Sequence, residues 1–313
     1  MLQYFIKRIA QLVPTVLGVI FITFSLGYFG PGDPLKHQLG ERLPSDPAQL
    51  ERLRKHYGLD RPFHVQFSSY IGKLARGDMG ISIVVQSKRP IRDMLGKALR
   101  TSVQLGGAAA LIIFVLGIPL GILAAYRKNT WLDYVIVSLA ALLPTVPPFV
   151  LAPLLLILFV LQLKLLPASF GWAGLFDSRA ILPLIILVIG PMLIVVRQTR
   201  NSIIEALTQD YVRTARSKGV LEHKVLSRHV LKNAMIPVLT SMGFIISGLL
   251  TGSLFVESIF GIPGFGKLIY DGLRAYDYPL ILGTTLVGTL IILASNLLVD
   301  LLYPFFDPRV QFG

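Results

Sequence analysis

Residues able to carry chemistry are few in this chain, and the nearest approach to a reactive motif is Gly261-Ile262-Pro263-Gly264-Phe265-Gly266-Lys267-Leu268. Its spacing is that of a phosphate-cradling loop, in which backbone N–H groups and a lysine hold the phosphates and a following Ser or Thr holds magnesium. Leu268 stands where the hydroxyl should be, and Pro263 removes one of the cradling N–H groups, so a nucleotide site is rejected. The five histidines, His37, His56, His64, His223 and His229, fall outside the apolar runs, in segments read as loops. None forms a HExxH pair and none accompanies an intramembrane serine, which leaves metalloprotease and intramembrane-protease chemistry without residues. There is no cysteine, hence no disulfide, thiolate nucleophile or cysteine metal site. Asp78, inside Gly77 to Ser82, has too few companions for a calcium loop and reads as part of a turn. No enzyme, no cofactor and no metal is expected.

The elements that would hold such residues are those of a membrane protein. Hydrophobic residues make up 53% of the chain and charged ones 15%, with a mean hydropathy of +0.67. A soluble domain carries about 25% charged residues. The net charge of +13 would point to nucleic acid in a soluble protein; here topology accounts for much of it, and no nucleic acid is expected. About six spans follow from the uncharged runs, with both termini cytoplasmic. Residues 1–30 form an N-terminal span, read as a retained helix because the apolar run is too long for a signal peptide. Residues 31–100 mix both signs of charge and read as an extracytoplasmic module. Within it Leu50, Leu53, Tyr57 and Leu59 suggest one amphipathic helix, and Phe63, Phe67, Tyr70, Ile71 and Leu74 another.

Residues 101–302 carry five further spans and 303–313 a cytoplasmic tail. The second span, Thr101 to Tyr126, offers Gly106, Gly107, Gly117 and Gly121 for close helix packing. The third, Tyr134 to Leu163, is interrupted by Pro144, Pro147, Pro148 and Pro153, so its helix should break. Such a break neighbours either the translocation path or a kink facing lipid. The fourth runs from Ala180 to Val196, the fifth ends near Val256 and the sixth covers Tyr278 to Val299. These spans hold essentially no ionisable group, which leaves a proton-driven transporter without a relay.

Between the fourth and fifth spans, residues 197–236 form a cytoplasmic loop whose charged heart is QDYVRTARSKGVLEHKVLSRHVLKNAMIP, Gln209 to Pro237. A short helix is expected after Asp210, with an apolar patch of Tyr211, Ala215 and Val212, ending at Gly219. A second helix carries Val225, Leu226, His229, Val230 and Asn233. Composition alone reads this as a topology-fixing basic loop; the alternative is a docking element for a soluble partner. Spacing leaves both open.

The stretch Asp210-Tyr211-Val212-Arg213-Thr214-Ala215-Arg216-Ser217-Lys218-Gly219, with His229, Asn233-Ala234 and Pro237, resembles the cytoplasmic EAA loop of ABC importer permeases. The form is that of the dipeptide and oligopeptide (Dpp/Opp) branch, DYxRTARAKG followed by HxLxNAxxP, with Ser217 for Ala. PGDP at Pro31–Pro34, Tyr57-Gly58-Leu59-Asp60-Arg61-Pro62, Gly77 to Ser82, Leu166-Pro167-Ala168-Ser169 and the segment ESIFGIPGFGKL resemble motifs of its B-type members, in the same order along the chain. The resemblance implies an all-α type I importer permease fold. It implies one half of a pore completed by a C-type permease, with two cytoplasmic ATPases and an extracytoplasmic peptide-binding protein. It also implies that Asp210 to Gly219 form a coupling helix seated on an ATPase, with Tyr211, Thr214 and Ala215 packing and Arg213, Arg216 and Lys218 making polar contacts. The rival classes are an ATP-independent channel or facilitator and, less well supported, a structural membrane scaffold.

Overall fold

A computed structural model describes residues 2–30, 48–49, 51–52, 55, 60–86, 88–167 and 170–306, with side chains from residue 11 to 298. Pro31–Pro34, Leu50, Leu53, Tyr57 and Leu59 of the expected amphipathic helix, Ala168-Ser169, His37, His56 and residues 307–313 lie outside the described residues. The described chain is helical, with one isolated bridge between Ile81 and Pro90. In order come α1 (Leu2–Phe29), α2 (Phe63–Ala75), α3 (Ile91–Tyr126), α4 (Trp131–Leu142), α5 (Pro148–Leu156), α6 (Ile181–Leu207), α7 (Asp210–Ser217), α8 (Leu231–Leu250), α9 (Leu254–Ile259), α10 (Phe265–Arg274) and α11 (Tyr278–Phe306).

Among the described residues five stretches are long and apolar enough to cross a membrane, and a sixth is a bent pair: Trp131–Thr145 and Pro148–Gln162 meet at 103°. The proline cluster causes this break. Pro144 sits in a single 3-10 turn, Val146 is extended, Pro147 precedes α5 and Pro148 opens it, so a straight α-helical ladder cannot pass. α2 carries the predicted period, with Phe63 and Phe67 packing edge-to-face against Phe21 and Phe24 of α1 at ring-centroid distances of 5.4–5.8 Å.

Several helices run past their predicted ends. α3 starts at Ile91, ten residues before the predicted second span, because Ile91, Met94, Leu95 and Ala98 form a buried stripe against Phe265, Leu268 and Leu280. Arg92, Lys97 and Arg100 thereby become the exposed side of a helix. α6 continues eleven residues beyond Val196 to Leu207, burying Thr199, Ser202, Ile203 and Ala206. α11 continues to Phe306. Asp133 on α4, Arg200 on α6 and Glu257 on α9 fall one, four and one residue outside the predicted spans, on helices that reach past those spans.

The main core joins α3, α6, α8 and α9 through Leu105, Ile113, Leu182, Val195, Met242 and Phe260. Glycines set how closely they approach. A Cβ at Gly106 would lie 2.4 Å from the Leu249 carbonyl oxygen, and one at Gly121 2.6 Å from Thr199 Cβ, whereas Gly107 faces open space. Gly121→Ala should therefore lower the thermal midpoint of the detergent-purified chain, at a cost of about 1–3 kcal/mol for overpacking. Gly107→Ala should leave it unchanged or raise it by up to ~1 kcal/mol through helix propensity. Equal effects at the two positions would contradict the packing.

Candidate functional site

α7 is the expected short helix, and its end has the expected chemistry. Gly219 adopts φ +74°, its N–H donates to the Arg216 carbonyl, and the Val220 N–H donates to that of Ala215, the paired bonds of a Schellman stop. Gln209 occupies the N-cap position without a side-chain bond. Asp210 is the first helical residue, where a carboxylate favours the helix dipole, with an oxygen 3.8 Å from Arg213 Nη1 at the surface.

The patch expected to be apolar divides between two faces. Val212 is 0% and Ala215 6% exposed, both packed on Ala125 of α3, Ile203 and Ala206 of α6, and Val225 and Val230 beyond the turn. Tyr211, at 38% exposure, faces outward with Arg213, Thr214, Arg216, Ser217 and Lys218. Burial of Val212 alone is worth about 1.5–3 kcal/mol, so α7 is held to this chain by its own inner face. The packing capacity of Ala215 is spent inside the chain. What remains free is an outer face with three cations.

A π-helical stretch, Val225–Val230, follows the turn at Glu222–Lys224 and leads into α8. Arg216 Nη2 lies 2.5 Å from Glu222 Oε1, linking α7 to that turn, and this carboxylate raises the Arg216 pKa. Both groups are about half exposed, so the pair contributes roughly 0.2–1 kcal/mol. His223 and His229 lie on these helical turns, His229 on the expected second helix, and His64 lies on α2.

A buried ion pair that the sequence reading did not single out stands next to this element. Arg200 Nε is 2.5 Å from Asp133 Oδ1 and Nη2 is 2.7 Å from Oδ2, a two-pronged contact with side chains 17% and 2% exposed. The Asn129 N–H adds a third bond to Oδ2 at 2.9 Å, and Asn129 itself sits at φ +64° in the tight link from α3 to α4. The pair ties the start of the broken span to the helix that ends in α7. The signal in the sequence was an acid, Asp133, one residue before the third span and two bases, Arg197 and Arg200, just past the fourth.

The glycine-rich motif packs toward the other end of α3, where the Phe265 N–H donates to Ser102 Oγ, about 35 Å from Ala125 at 1.5 Å per residue. Its anion cradle is already filled. The Glu257 carboxylate, buried, accepts from Ser102 Oγ at 2.6 Å and from the Lys267 N–H at 2.9 Å, and a Cβ at Gly264 would come within 2.4 Å of its Cδ. Lys267 Nζ is engaged by Asp271 at 2.6 Å. The loop wraps one of this chain's own carboxylates, a structural reason for rejecting a nucleotide there that adds to the missing hydroxyl. Nearby, buried Asp277 accepts from Ser82 Oγ at 2.5 Å and from the N–H groups of Val84 and Val85 at 3.0 Å each. That contact fastens the segment before α3 to the segment before α11, across nearly two hundred residues.

Comparisons with known proteins bear on this arrangement. Residues 117–312 match the family described as binding-protein-dependent transport system inner membrane component, and residues 1–98 match its N-terminal companion. The chain is 39% identical over 311 residues to the dipeptide transport system permease protein DppB of Bacillus subtilis, covering 99% of this chain and 98% of that protein. It is 37% identical over 313 residues to the oligopeptide transport system permease protein OppB of Escherichia coli, covering all of both. A chain of the MetNI methionine ABC transporter shares the fold, with a TM-score of 0.53 at 15% identity, over 69% of this chain and 99% of that one. An all-helical bundle with five or six spans and this likeness has the type I importer permease fold. The chain belongs to the binding-protein-dependent transport system inner membrane components and, within them, to the B-type permeases of the Dpp/Opp branch of ABC importers.

Proposed function

We propose that this protein is the B-type permease of an ATP-driven importer that takes up dipeptides or oligopeptides delivered by an extracytoplasmic binding protein. It works with a C-type permease and two cytoplasmic ATPases, and α7 is the element through which the ATPases act. The observation that carries this reading is the two-faced character of α7. Val212 and Ala215 anchor it to α3 and α6, while Tyr211, Arg213, Thr214, Arg216, Ser217 and Lys218 remain outside. A helix so anchored transmits a push on its outer face to the bundle rather than yielding to it.

In this reading the α7 end of the bundle is cytoplasmic, as are both termini, in line with Arg127, Lys128 and the basic loop gathered there. Closure of the ATPases on ATP presses the outer face and favours the outward-open arrangement; hydrolysis and release return the bundle inward. Residues 31–100 are the part that meets the loaded binding protein or the partner permease.

A pull-down from native membranes tests the proposal, comparing the intact chain with one in which Asp210 to Gly219 is a neutral linker. Two ATPases and a second permease should accompany the intact chain, and the ATPases should be lost with the linker. Recovery of the chain alone, or only as copies of itself, from well-preserved membranes would favour the ATP-independent channel. Uptake of labelled dipeptides and longer peptides by the reconstituted complex then assigns the substrate class.

A further inference from the structure

A cavity of about 390 Å³ lies at the Ile91 end of the bundle, between α1, α2, the turn at residues 78–83 and the start of α11. Its floor is apolar, built from Phe24 of α1 together with Tyr278 and Leu282 of α11. Its rim is cationic, with Arg61, Lys73 and Lys55, against a single acid, Asp78. Asp78 is turned to its own loop, accepting from the Gly80 N–H at 2.8 Å. Lys55 is 3.7 Å from Glu51 at the surface, while neither Arg61 nor Lys73 has an acidic partner among the described residues. On α2, Gln66, Ser69, Tyr70 and Lys73 recur at three- and four-residue spacing, so one helix face supplies hydroxyls, an amide and a charge to one wall.

We propose that this cavity binds the headgroup of an anionic phospholipid. A small cavity with an apolar floor and unpaired cations on its rim fits a ligand with a negative head and an apolar body. The position supports the lipid source. Phe24 brings α1 into the cavity wall, α1 also carries the exposed apolar residues Leu17, Phe21, Ile22 and Leu26, and Phe24 and Leu282 place the floor just within the ends of two spanning helices. Acyl chains could run down α1 while the phosphate reaches Arg61 and Lys73. The site would fix α2 against α1 and α11, the same junction that Tyr278 closes by donating from its hydroxyl to the Phe24 carbonyl at 2.7 Å. The inference needs only that the chain is membrane-embedded, not the assignment of α7.

The test uses the full chain, with whatever subunits co-purify, incubated with phosphatidylglycerol or phosphatidylcholine in mixed micelles and read by native mass spectrometry. Phosphatidylglycerol should be retained in preference. An Arg61→Gln/Lys73→Gln variant should lose roughly 30-fold in retention, as expected for two basic residues at an anionic surface. Both side chains are exposed, so folding is not at stake. Lys88→Gln/Arg92→Gln, which removes the same two charges outside the cavity, should change nothing, and Ser69→Trp, which fills the cavity with its charges intact, should abolish preference. Equal retention of the two lipids, or equal loss from Lys88→Gln/Arg92→Gln, would overturn the site. Displacement of phosphatidylglycerol by millimolar inorganic phosphate would overturn the lipid assignment in favour of a free-anion site.

Discussion

Asp133→Ala is expected to destabilise the purified chain by about 1.5–3 kcal/mol, because it removes the charged hydrogen bonds of a buried carboxylate to the part-buried Arg200 guanidinium. The partner sits 67 residues away on α6, its side chain is 17% exposed, and it would keep only its contact with Asn201 Oδ1. The loss should appear as a lower thermal midpoint and a looser link between the broken span and α6. Replacing both partners with apolar residues, Asp133→Leu with Arg200→Met, should recover most of the stability, since a buried pair is often no better than a well-packed hydrophobic one. Reversing the charges, Asp133→Arg with Arg200→Asp, should recover less, because the Asn129 N–H would then face a cation. A single-site change within about 0.5 kcal/mol of wild type would mean that the pair is not buried as described.

Ala215→Glu should have the second large effect. Its carboxylate would enter a cluster of Ala125, Ile203, Val212 and Val225 with no cation in it, at a cost of several kcal/mol unless α7 lifts away. Lifting is the cheaper route, since α7 is eight residues long and held mainly by Val212 and Ala215. We therefore predict that tryptic cleavage at Arg213, Arg216 and Lys218 accelerates at least ~10-fold, the factor for 1.4 kcal/mol of local opening, while the spanning helices stay assembled. Tyr211→Asp, on the outer face, should leave trypsin resistance unchanged and instead weaken ATPase capture. The two variants separate anchoring from docking. If Ala215→Glu left both readouts unchanged, the inward face of α7 would be misassigned.

These variants also bear on how motion could pass through the bundle. α7 is continuous in packing with the end of α6, and α6 holds Asp133 at the head of a span broken at Pro144–Pro148. A displacement of α7 thus has a packed route to the bent span. Loss of uptake in the apolar Asp133→Leu/Arg200→Met variant, with ATPase capture and stability retained, would indicate that the charged contact serves this route rather than folding alone.

Much was readable from the sequence, for a local reason. Uncharged runs of about twenty residues mark spans because a bilayer accepts little else. Gly219 ends α7 because the left-handed turn there suits a residue without a Cβ, and Pro144, Pro147 and Pro148 break the third span, while Pro153 is carried inside α5. The motifs from Asp210 to Pro237 carried the family because they are contiguous. Contacts between distant residues were not readable in that way. α6 runs on to Leu207 because Arg200 finds Asp133, and α3 begins at Ile91 because a buried stripe meets Phe265 and Leu280. The glycine-rich loop closes on Glu257 and Ser102, and Asp277 fastens to Ser82. Which face of α7 turns inward followed from Ala125 and Ile203, on helices whose placement no single-strand periodicity encodes. A lone charge near an apolar run is costly until its partner is known. The partner is supplied by the packing of whole helices, and only the tertiary structure decides it.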